Sequence, residues 1–132
     1  MDATEKLKQL TLLYVEDEDI ARLSIGSFLR RYMGELLLAS NGSEGLQLYQ
    51  EKRPAVVITD LEMPVMNGYE VCERLKSGEK TSAIPIILLT GERLEPKSIL
   101  DRCLNLGVES FLLKPLKLED LLSKIKETLG EK

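Results

Sequence analysis

Several charged and hydroxyl side chains of this sequence come directly after short apolar runs. Glu16 and Asp17 follow the first run, Asp60 comes soon after the third, Thr90 follows the fourth, and Lys114 follows the fifth. Carboxylates that lie close together repel one another unless a positive charge intervenes. Mg²⁺ suits such a site, because it takes one or two carboxylates and completes its shell with water and phosphate oxygens. If these positions share one crevice, they predict a magnesium site.

The same crevice would support a reaction at Asp60. A carboxylate can act as a nucleophile toward phosphorus and give an acyl phosphate, while a metal ion and a lysine neutralise charge on the transferring oxygens. Lys114 supplies a compact positive charge, Thr90 supplies a hydroxyl donor, and Gly91 leaves room for a ligand near the backbone. Singly, Thr90 is more commonly a strand-end residue and Lys114 a surface charge. Together they indicate that the crevice stabilises an anion attached to Asp60.

Five apolar runs predict the strands that position these residues. None alternates apolar with polar residues, so each indicates a strand buried on both faces, as in a parallel sheet. The runs are Leu10–Val15, Leu36–Ala39, Ala55–Ile58, Ile84–Leu89 and Phe111–Leu113. Helical patterns follow them at about Asp19–Tyr32, Ser43–Gln50, Asn67–Lys76, Pro96–Asn105 and Leu118–Leu129. This alternation predicts an α/β fold, a doubly wound (βα)5 parallel sheet whose ligands bind beyond the carboxyl ends of its strands.

The first predicted helix begins beside the acidic residues. Its apolar residues Ile20, Leu23 and Phe28 are expected to face the core. For Glu18 and Asp19, at the start of this helix, we expect helix capping or solvation. Acidic residues at that end suit the helix dipole.

Length and composition limit the classes of function. The 132 residues, 43% of them hydrophobic, fit a single domain over residues 1–132 with a core at about residues 10–129. A net charge of −4 argues against direct binding of nucleic acid. The absence of histidine excludes Ser-His-Asp and Cys-His nucleophile pairs, most zinc sites and phosphohistidine chemistry on this chain. Cys72 and Cys103 lack a metal-like spacing, so we expect buried, reduced thiols.

The apolar runs are also too short for a membrane span. The N-terminal segment "MDATEKLKQL" lacks the long apolar stretch of a signal peptide. We therefore expect a cytoplasmic protein that does not associate with membranes.

Five segments carry most of these features: "LLYVEDE", "SNGSEGL", "VVITDLEMPVMNGYE", "IILLTGE" and "FLLKP". In this order they resemble the receiver domains of two-component response regulators, in particular the stand-alone chemotaxis-type regulators. The resemblance covers almost the whole chain. It implies a flavodoxin-like fold with strand order 2-1-3-4-5.

The resemblance implies a role for each acid of the crevice. Asp60 would be the phosphorylated aspartate and would also bind Mg²⁺. Asp17 would be a direct ligand of the ion, and Glu16 would act through metal-bound water. The backbone carbonyl of Glu62 would be a further protein ligand.

The resemblance also implies a conformational switch. Thr90 would hydrogen-bond the phosphoryl group, Lys114 would pair with it, and the Lys114–Pro115 bond would be cis. Phosphate on Asp60 would draw Thr90 inward and open space into which Phe111, at the aromatic switch position, turns. The surface formed by the fourth helix, the fifth strand and the fifth helix would then repack.

Some positions depart from the commonest pattern of the family. Gly91 stands where alanine is frequent, and Phe111 lacks the hydroxyl of the frequent tyrosine. Glu62 and Glu92 add negative charge at positions that vary between members. These departures bear on phosphoryl lifetime and on switching, and they leave the acceptor chemistry intact.

The function implied is a phosphorylation-dependent signalling switch. Asp60 would accept its phosphoryl group from a sensor histidine kinase or a phosphotransfer protein, and the repacked surface would control a downstream protein or a phosphorylation-dependent dimer. Such a domain is not an enzyme, although it assists its own phosphorylation and autodephosphorylation. We expect no DNA-binding or enzymatic output domain in these 132 residues. A stand-alone regulator and a receiver from a larger regulator or hybrid kinase would look alike.

Two other classes fit parts of the sequence. "TDLE" also suits a haloacid-dehalogenase-type phosphatase with an aspartate nucleophile. That family, however, prefers a second aspartate two residues later, places the motif on the first core strand, and has a cap or a longer chain. A flavodoxin-like cofactor binder would need a hydroxyl- or glycine-rich phosphate loop after the first strand, where this chain has the acidic "VEDED". We therefore favour the signalling switch.

Overall fold

Five parallel strands form one sheet in the order β2-β1-β3-β4-β5. The computed structural model describes residues 2–77, 83–91, 96–108 and 110–130, without the side chains of residues 96, 99 and 100. The strands are β1 Thr11–Val15, β2 Glu35–Ala39, β3 Val56–Asp60, β4 Ile86–Thr90 and β5 Ser110–Leu113. The helices are α1 Ala3–Leu7, α2 Asp19–Arg30, α3 Gly42–Lys52, α4 Gly68–Lys76, α5 Pro96–Asn105 and α6 Leu118–Thr128. The predicted α/β class, strand order and alternation are confirmed.

Both faces of the sheet are covered, which explains why the strands read as continuous apolar runs. Successive side chains of β1 point to opposite faces, so Leu13 packs with α3, α4 and α5, and Tyr14 packs with α1, α2 and α6. In β3, Val57 packs on the same face as Leu13, and Ile58 packs on the same face as Tyr14. Each strand therefore contributes to two cores, and its central positions are mostly apolar.

The register of the strands brings their carboxyl ends to one edge. Val15 pairs with Thr59, Asp60 pairs with Leu89, and Thr90 pairs with Leu113. Parallel strands in register end together, so the residues that follow them emerge side by side. This edge is where the acids, the hydroxyl and the lysine singled out in the sequence are brought together.

The predicted core face of α2 is wrong for Ile20 and Leu23. Their side chains are 75% and 62% exposed, while Leu29 is fully buried. Ile20 precedes Leu29 by about two and a half helical turns and so lies on the opposite side of the helix. The helix packs on β2 through Gly26, where an added Cβ would lie 3.3 Å from a methyl carbon of Leu38. That close approach fixes which side faces inward.

Phe28 is half-buried, at the border between the inward and the outward side of α2. Its ring packs against the core, and the centroid of this ring lies 5.1 Å from the ring centroid of Tyr32. The prediction that Phe28 turns inward is therefore correct in direction. The cysteine prediction also holds, because Cys72 and Cys103 are both buried and free.

A short N-terminal helix, α1, was not predicted. Asp2 caps it by accepting a hydrogen bond from the backbone N–H of Glu5 at 2.8 Å. Leu7 is buried in the same core as Tyr14, and its carbonyl accepts from the N–H of Gly34. Among the described helices, none combines the length and hydropathy that a bilayer span requires.

Candidate functional site

Glu16, the first residue after β1, is buried at the edge of the sheet. Its carboxylate meets three donors: the Tyr14 hydroxyl at 3.4 Å and the Lys114 ammonium at 3.5 Å, both on Oε1, and the Glu18 backbone N–H at 3.3 Å on Oε2. The first donor comes from inside the core. These contacts hold a carboxylate in place where water has little access.

Arg22 holds the acidic loop between β1 and α2. Its guanidinium donates to the backbone carbonyl of Glu16 at 2.9 Å and to that of Asp17 at 3.5 Å. The same side chain pairs with Asp19 Oδ1 at 2.6 Å. Asp17 is thus placed by its backbone, while its side chain faces the solvent-accessible crevice.

The two acids at the start of α2 do not cap it with their side chains. Glu18 occupies the N-cap position but makes no capping hydrogen bond through its side chain, and Asp19 is exposed and paired with Arg22. Solvation, one of the two roles predicted for these acids, is therefore correct. Capping is not.

Asp60 is the last residue of β3 and is buried against Lys114, whose ammonium nitrogen lies 2.7 Å from Oδ1. After Asp60 the chain turns sharply. A Cβ on Gly68 would lie 2.6 Å from the Asp60 carbonyl oxygen, so this position requires glycine. Asn67 and Glu70 form a capping box that begins α4 at this point. The rigid strand and the capped helix together fix the direction of the carboxylate.

Three carboxylates converge in this crevice. Glu16, Asp17 and Asp60 each offer an oxygen, and the three oxygens lie within 4.8 Å of one another. They line a cavity of about 440 Å³ together with Glu18, Glu62, Gly91 and Lys114. Carboxylate oxygens in an open cavity are the donor set that a hard divalent cation requires. The crevice therefore fits a metal ion.

The electrostatics of the cluster favour a bound cation. Burial, and then the Asp60 carboxylate, raise the pKa of Glu16 to about 7, although the Lys114 ammonium acts in the opposite direction. Burial also raises the pKa of Asp60, against the effect of Lys114 and with the help of Asp17. The pKa of Lys114 is lowered by burial, but its contacts with Asp60 and Glu16 outweigh this and raise it. The single ammonium of Lys114 thus compensates the charge of two buried carboxylates.

Thr90 and Phe111 lie on the same face of the sheet. Thr90 ends β4 and is buried, and its hydroxyl lies 3.4 Å from the Gly91 carbonyl oxygen, to which it donates. Phe111, half-buried in β5, pairs in register with Leu88, two residues before Thr90. Thr90 directly precedes Gly91, which lines the crevice, and its hydroxyl contacts the Gly91 carbonyl rather than Asp60.

Glu62 and the Lys114–Pro115 bond are also placed at this edge. The side chain of Glu62 lies at the rim of the crevice, where its Oε1 would be 3.3 Å from a Cβ added to Gly91. The Lys114–Pro115 peptide bond is cis, as predicted. Glu92 lies outside the described residues.

Two residues of the site were missed in the sequence. Tyr14, in β1, precedes Glu16 by two residues, so the two side chains point to the same side of the sheet. Arg22 follows Asp19 by three residues, the spacing at which helical side chains meet. These two spacings could have identified both residues. They are hard to notice because Tyr14 lies within an apolar run and Arg22 lies in a helix with many other charged residues.

A match to a protein-family model shows which family this chain belongs to. The model for the response regulator receiver domain matches residues 12–126. The chain belongs to this family. It is 30% identical over 119 residues to protein PilH of Pseudomonas aeruginosa. This alignment covers 90% of this chain and 97% of PilH. The fold is similar to that of the chemotaxis protein CheY4 of Vibrio cholerae, with a TM-score of 0.83, 27% identity, and coverage of 91% of this chain and 98% of CheY4.

A histidine kinase also contains a similar segment. The receiver domain is 35% identical over 128 residues to histidine kinase P4 of Formosa agariphila, covering 96% of this chain and 9% of that protein. Receiver domains are phosphorylated by histidine kinases and are generally signalling domains rather than catalysts. The phosphatase and cofactor-binding classes considered from the sequence are not the family that matches.

Proposed function

We propose that this receiver domain is a magnesium-dependent phosphoacceptor switch. Asp60 accepts a phosphoryl group from a histidine kinase or a phosphotransfer protein, and the surface formed by α5, β5 and α6 then changes to control a partner. The observation that carries the proposal is the position of the Lys114 ammonium, 2.7 Å from Asp60 Oδ1 at the wall of an acidic cavity. In this position a nucleophilic Asp60 carboxylate would lie beside a charge that can stabilise a phosphoryl group.

The residues divide the chemistry between them. An Asp60 carboxylate oxygen forms a bond to phosphorus as the bond from phosphorus to the donor imidazole nitrogen breaks, which leaves an acyl phosphate and a neutral imidazole after proton uptake. Lys114 moves from pairing with the free carboxylate to pairing with a phosphoryl oxygen. Because Lys114 also contacts Glu16, its ammonium stays in the crevice throughout.

Glu16, Asp17, Asp60 and the backbone carbonyl of Glu62 would hold the Mg²⁺ ion. When bound, the ion neutralises charge on the phosphoryl oxygens. Glu16 would act through water. The clustering of three carboxylate oxygens within 4.8 Å supports this assignment.

The switch would run from Thr90 to the far surface. The Thr90 hydroxyl would turn to the phosphoryl group, and Phe111 would move into the space released, since both lie on one face of the sheet. Helix α5 is suited to respond. Among its described side chains only Cys103 is buried, and Arg102 stacks on the Tyr69 ring of α4, 3.8 Å from the ring centroid. Elements with few buried contacts are those that move most readily.

The remaining parts of the proposal concern the whole protein. We propose one domain over residues 1–132, partners among histidine kinases or phosphotransfer proteins, and a phosphorylation-dependent dimer through the α5-β5-α6 surface. Direct contact with nucleic acid is not part of the proposal, because the net charge is −4. The domain would assist its own phosphorylation and autodephosphorylation. The cytoplasmic location stays a prediction.

Phosphorylation by a small donor tests the proposal. The protein is incubated with acetyl phosphate and Mg²⁺, and the phosphorylated fraction is separated on a phosphate-affinity gel. We expect a shifted band that is lost with EDTA and in Asp60→Asn, and retained in the rim variant Glu18→Gln. Labelling of Asp60→Asn equal to that of the wild type would overturn the proposal.

A further inference from the structure

Tyr14 connects the core of the protein to the crevice. Its side chain is fully buried between the sheet and helices α2 and α6, and it is among the largest side chains of that core. Its hydroxyl lies 3.4 Å from Oε1 of Glu16, the residue that directly follows β1. A buried hydroxyl carries a free-energy cost unless it is hydrogen-bonded, so this contact is expected to persist in the folded protein.

The contact belongs to a chain of hydrogen bonds that reaches the phosphoacceptor. Glu16 Oε1 is shared between the Tyr14 hydroxyl and the Lys114 ammonium, and that ammonium is bonded to Asp60 Oδ1. The ammonium approaches Glu16 from the crevice and the hydroxyl approaches it from the core. Rotation of the Glu16 carboxylate would break both contacts, so the hydroxyl limits where this carboxylate and Lys114 can lie.

We propose that Tyr14 is a positioning residue, whose hydroxyl holds the Glu16 carboxylate in the orientation that the metal ion and Lys114 require. This inference rests on the proposed function and adds to it a residue that does not touch the crevice. Phenylalanine would fill the same space in the core, so what the tyrosine hydroxyl adds is its hydrogen bond to Glu16. Residues that orient a metal-site carboxylate typically affect affinity even without contact with the ion.

The test is Tyr14→Phe, which removes one oxygen atom. We expect Mg²⁺ affinity, measured by calorimetry, to fall by about fivefold, the loss of one hydrogen bond to a charged group at a long distance. Tyr49→Phe is the matched control, because Tyr49 is buried in the other core. It should bind Mg²⁺ as the wild type does. Equal affinity of Tyr14→Phe and the wild type would overturn the proposal.

A double-mutant cycle separates positioning from a general effect on structure. If Tyr14 acts through Glu16, then Tyr14→Phe should change Mg²⁺ affinity less than twofold in a Glu16→Met background, where the accepting carboxylate is absent. An unchanged fivefold loss in that background would show that Tyr14 does not act through Glu16. Wild-type protein that binds no Mg²⁺ would instead contradict the proposed function itself.

A spectroscopic measurement covers the case in which Tyr14→Phe fails to fold. The chain has four tyrosines and no tryptophan, so the tyrosine absorption band is directly readable. Mg²⁺ added to the wild type should shift this band, since the partner of the Tyr14 hydroxyl becomes engaged by the cation. The shift should persist in Tyr49→Phe. Saturation with Mg²⁺ without a tyrosine shift would contradict the proposal.

Discussion

The Lys114 ammonium nitrogen lies 2.7 Å from Asp60 Oδ1, although another strand of the sheet ends between these two residues. Lys114 follows β5 and Asp60 ends β3, and β4 separates these strands in the sheet. Strands are spaced about 4.8 Å apart, so the long lysine side chain has to extend over the end of β4. Gly91, the residue after β4, carries no side chain there and lines the same cavity. The pairing therefore depends on three strand ends at once.

Asp60→Asn should fold as the wild type does. The substitution removes a buried charge whose pKa is raised by burial and by neighbouring acids, and Lys114 keeps its contact with Glu16. We expect the free energy of unfolding to change by less than about 1 kcal/mol, measured by urea denaturation. A loss of several kcal/mol would assign Asp60 a structural role.

Lys114→Ala should separate metal binding from phosphorylation. The carboxylate oxygens that would hold the ion remain, while the charge that stabilises the phosphoryl group is lost. We expect Mg²⁺ affinity to be retained and the rate of phosphorylation by acetyl phosphate to fall roughly tenfold to hundredfold. Lys117→Ala, at an exposed position three residues later, is the control. Wild-type rates in Lys114→Ala would remove this lysine from the mechanism.

The metal-free protein should lose stability as the pH rises. Burial and Asp60 raise the pKa of Glu16 from 4.5 to about 7, so the folded state binds this proton more tightly than the unfolded state. That stabilisation is complete below about pH 4.5 and is lost as the pH rises through about 7. We expect a decline on the order of 1 to 3 kcal/mol in unfolding free energy across this window.

Denaturation at a series of pH values, with and without Mg²⁺, measures this dependence. Glu16→Gln should make the profile of the metal-free protein shallower, because one of the two buried acids with a raised pKa is gone. Mg²⁺ should bind more tightly above pH 7 than below it, since its ligands must be ionised. Stability that rises with pH in the metal-free wild type would show that the acidic cluster does not control it.

Arg22→Ala should weaken metal binding from outside the crevice. The side chain holds the backbone carbonyls of Glu16 and Asp17, and without it the loop that carries both acids is less restrained. We expect about a tenfold loss of Mg²⁺ affinity, measured by calorimetry. Arg30→Ala, at an exposed position on the same helix, should bind as the wild type does. Identical affinities of the two variants would show that the loop needs no such anchor.

The inward face of α2 can be tested by stability alone. Leu29→Ala should cost about 2 to 5 kcal/mol of unfolding free energy, because the side chain is fully buried. Ile20→Ala should stay within about 0.5 kcal/mol of the wild type, because three quarters of that side chain is exposed. Chemical denaturation of both variants compares the two faces, and equal losses would contradict the orientation described.

The site was predictable because the fold places strand ends together. Unbroken apolar runs indicate buried parallel strands, and such strands expose their polar residues only where they end. Asp60 and Lys114 are 54 residues apart in the sequence, yet both could be assigned to one crevice from the order of the elements. The distance between their atoms depends on side-chain reach and strand register, which the sequence pattern does not specify.

The errors have equally physical causes. Helix α2 carries apolar residues on two sides, and the periodicity alone did not reveal that Gly26 brings one side onto the sheet. Helix α1 is only five residues long and buries a single leucine, so it produces no periodic signal. In the sequence, Tyr14 looks like one more apolar residue of a buried strand, although its hydroxyl contacts Glu16. In each case a single tertiary contact decided the outcome.

Peptide mapping of the phosphorylated protein tests the central claim most directly. The receiver domain is treated with acetyl phosphate and Mg²⁺, and the acyl phosphate is reduced with borohydride, which converts a phosphorylated aspartate to homoserine at its position. Mass spectrometry of the digest should find that conversion at Asp60, with Asp17 unmodified. Conversion at another carboxylate, or none under conditions in which Mg²⁺ is bound, would contradict the account.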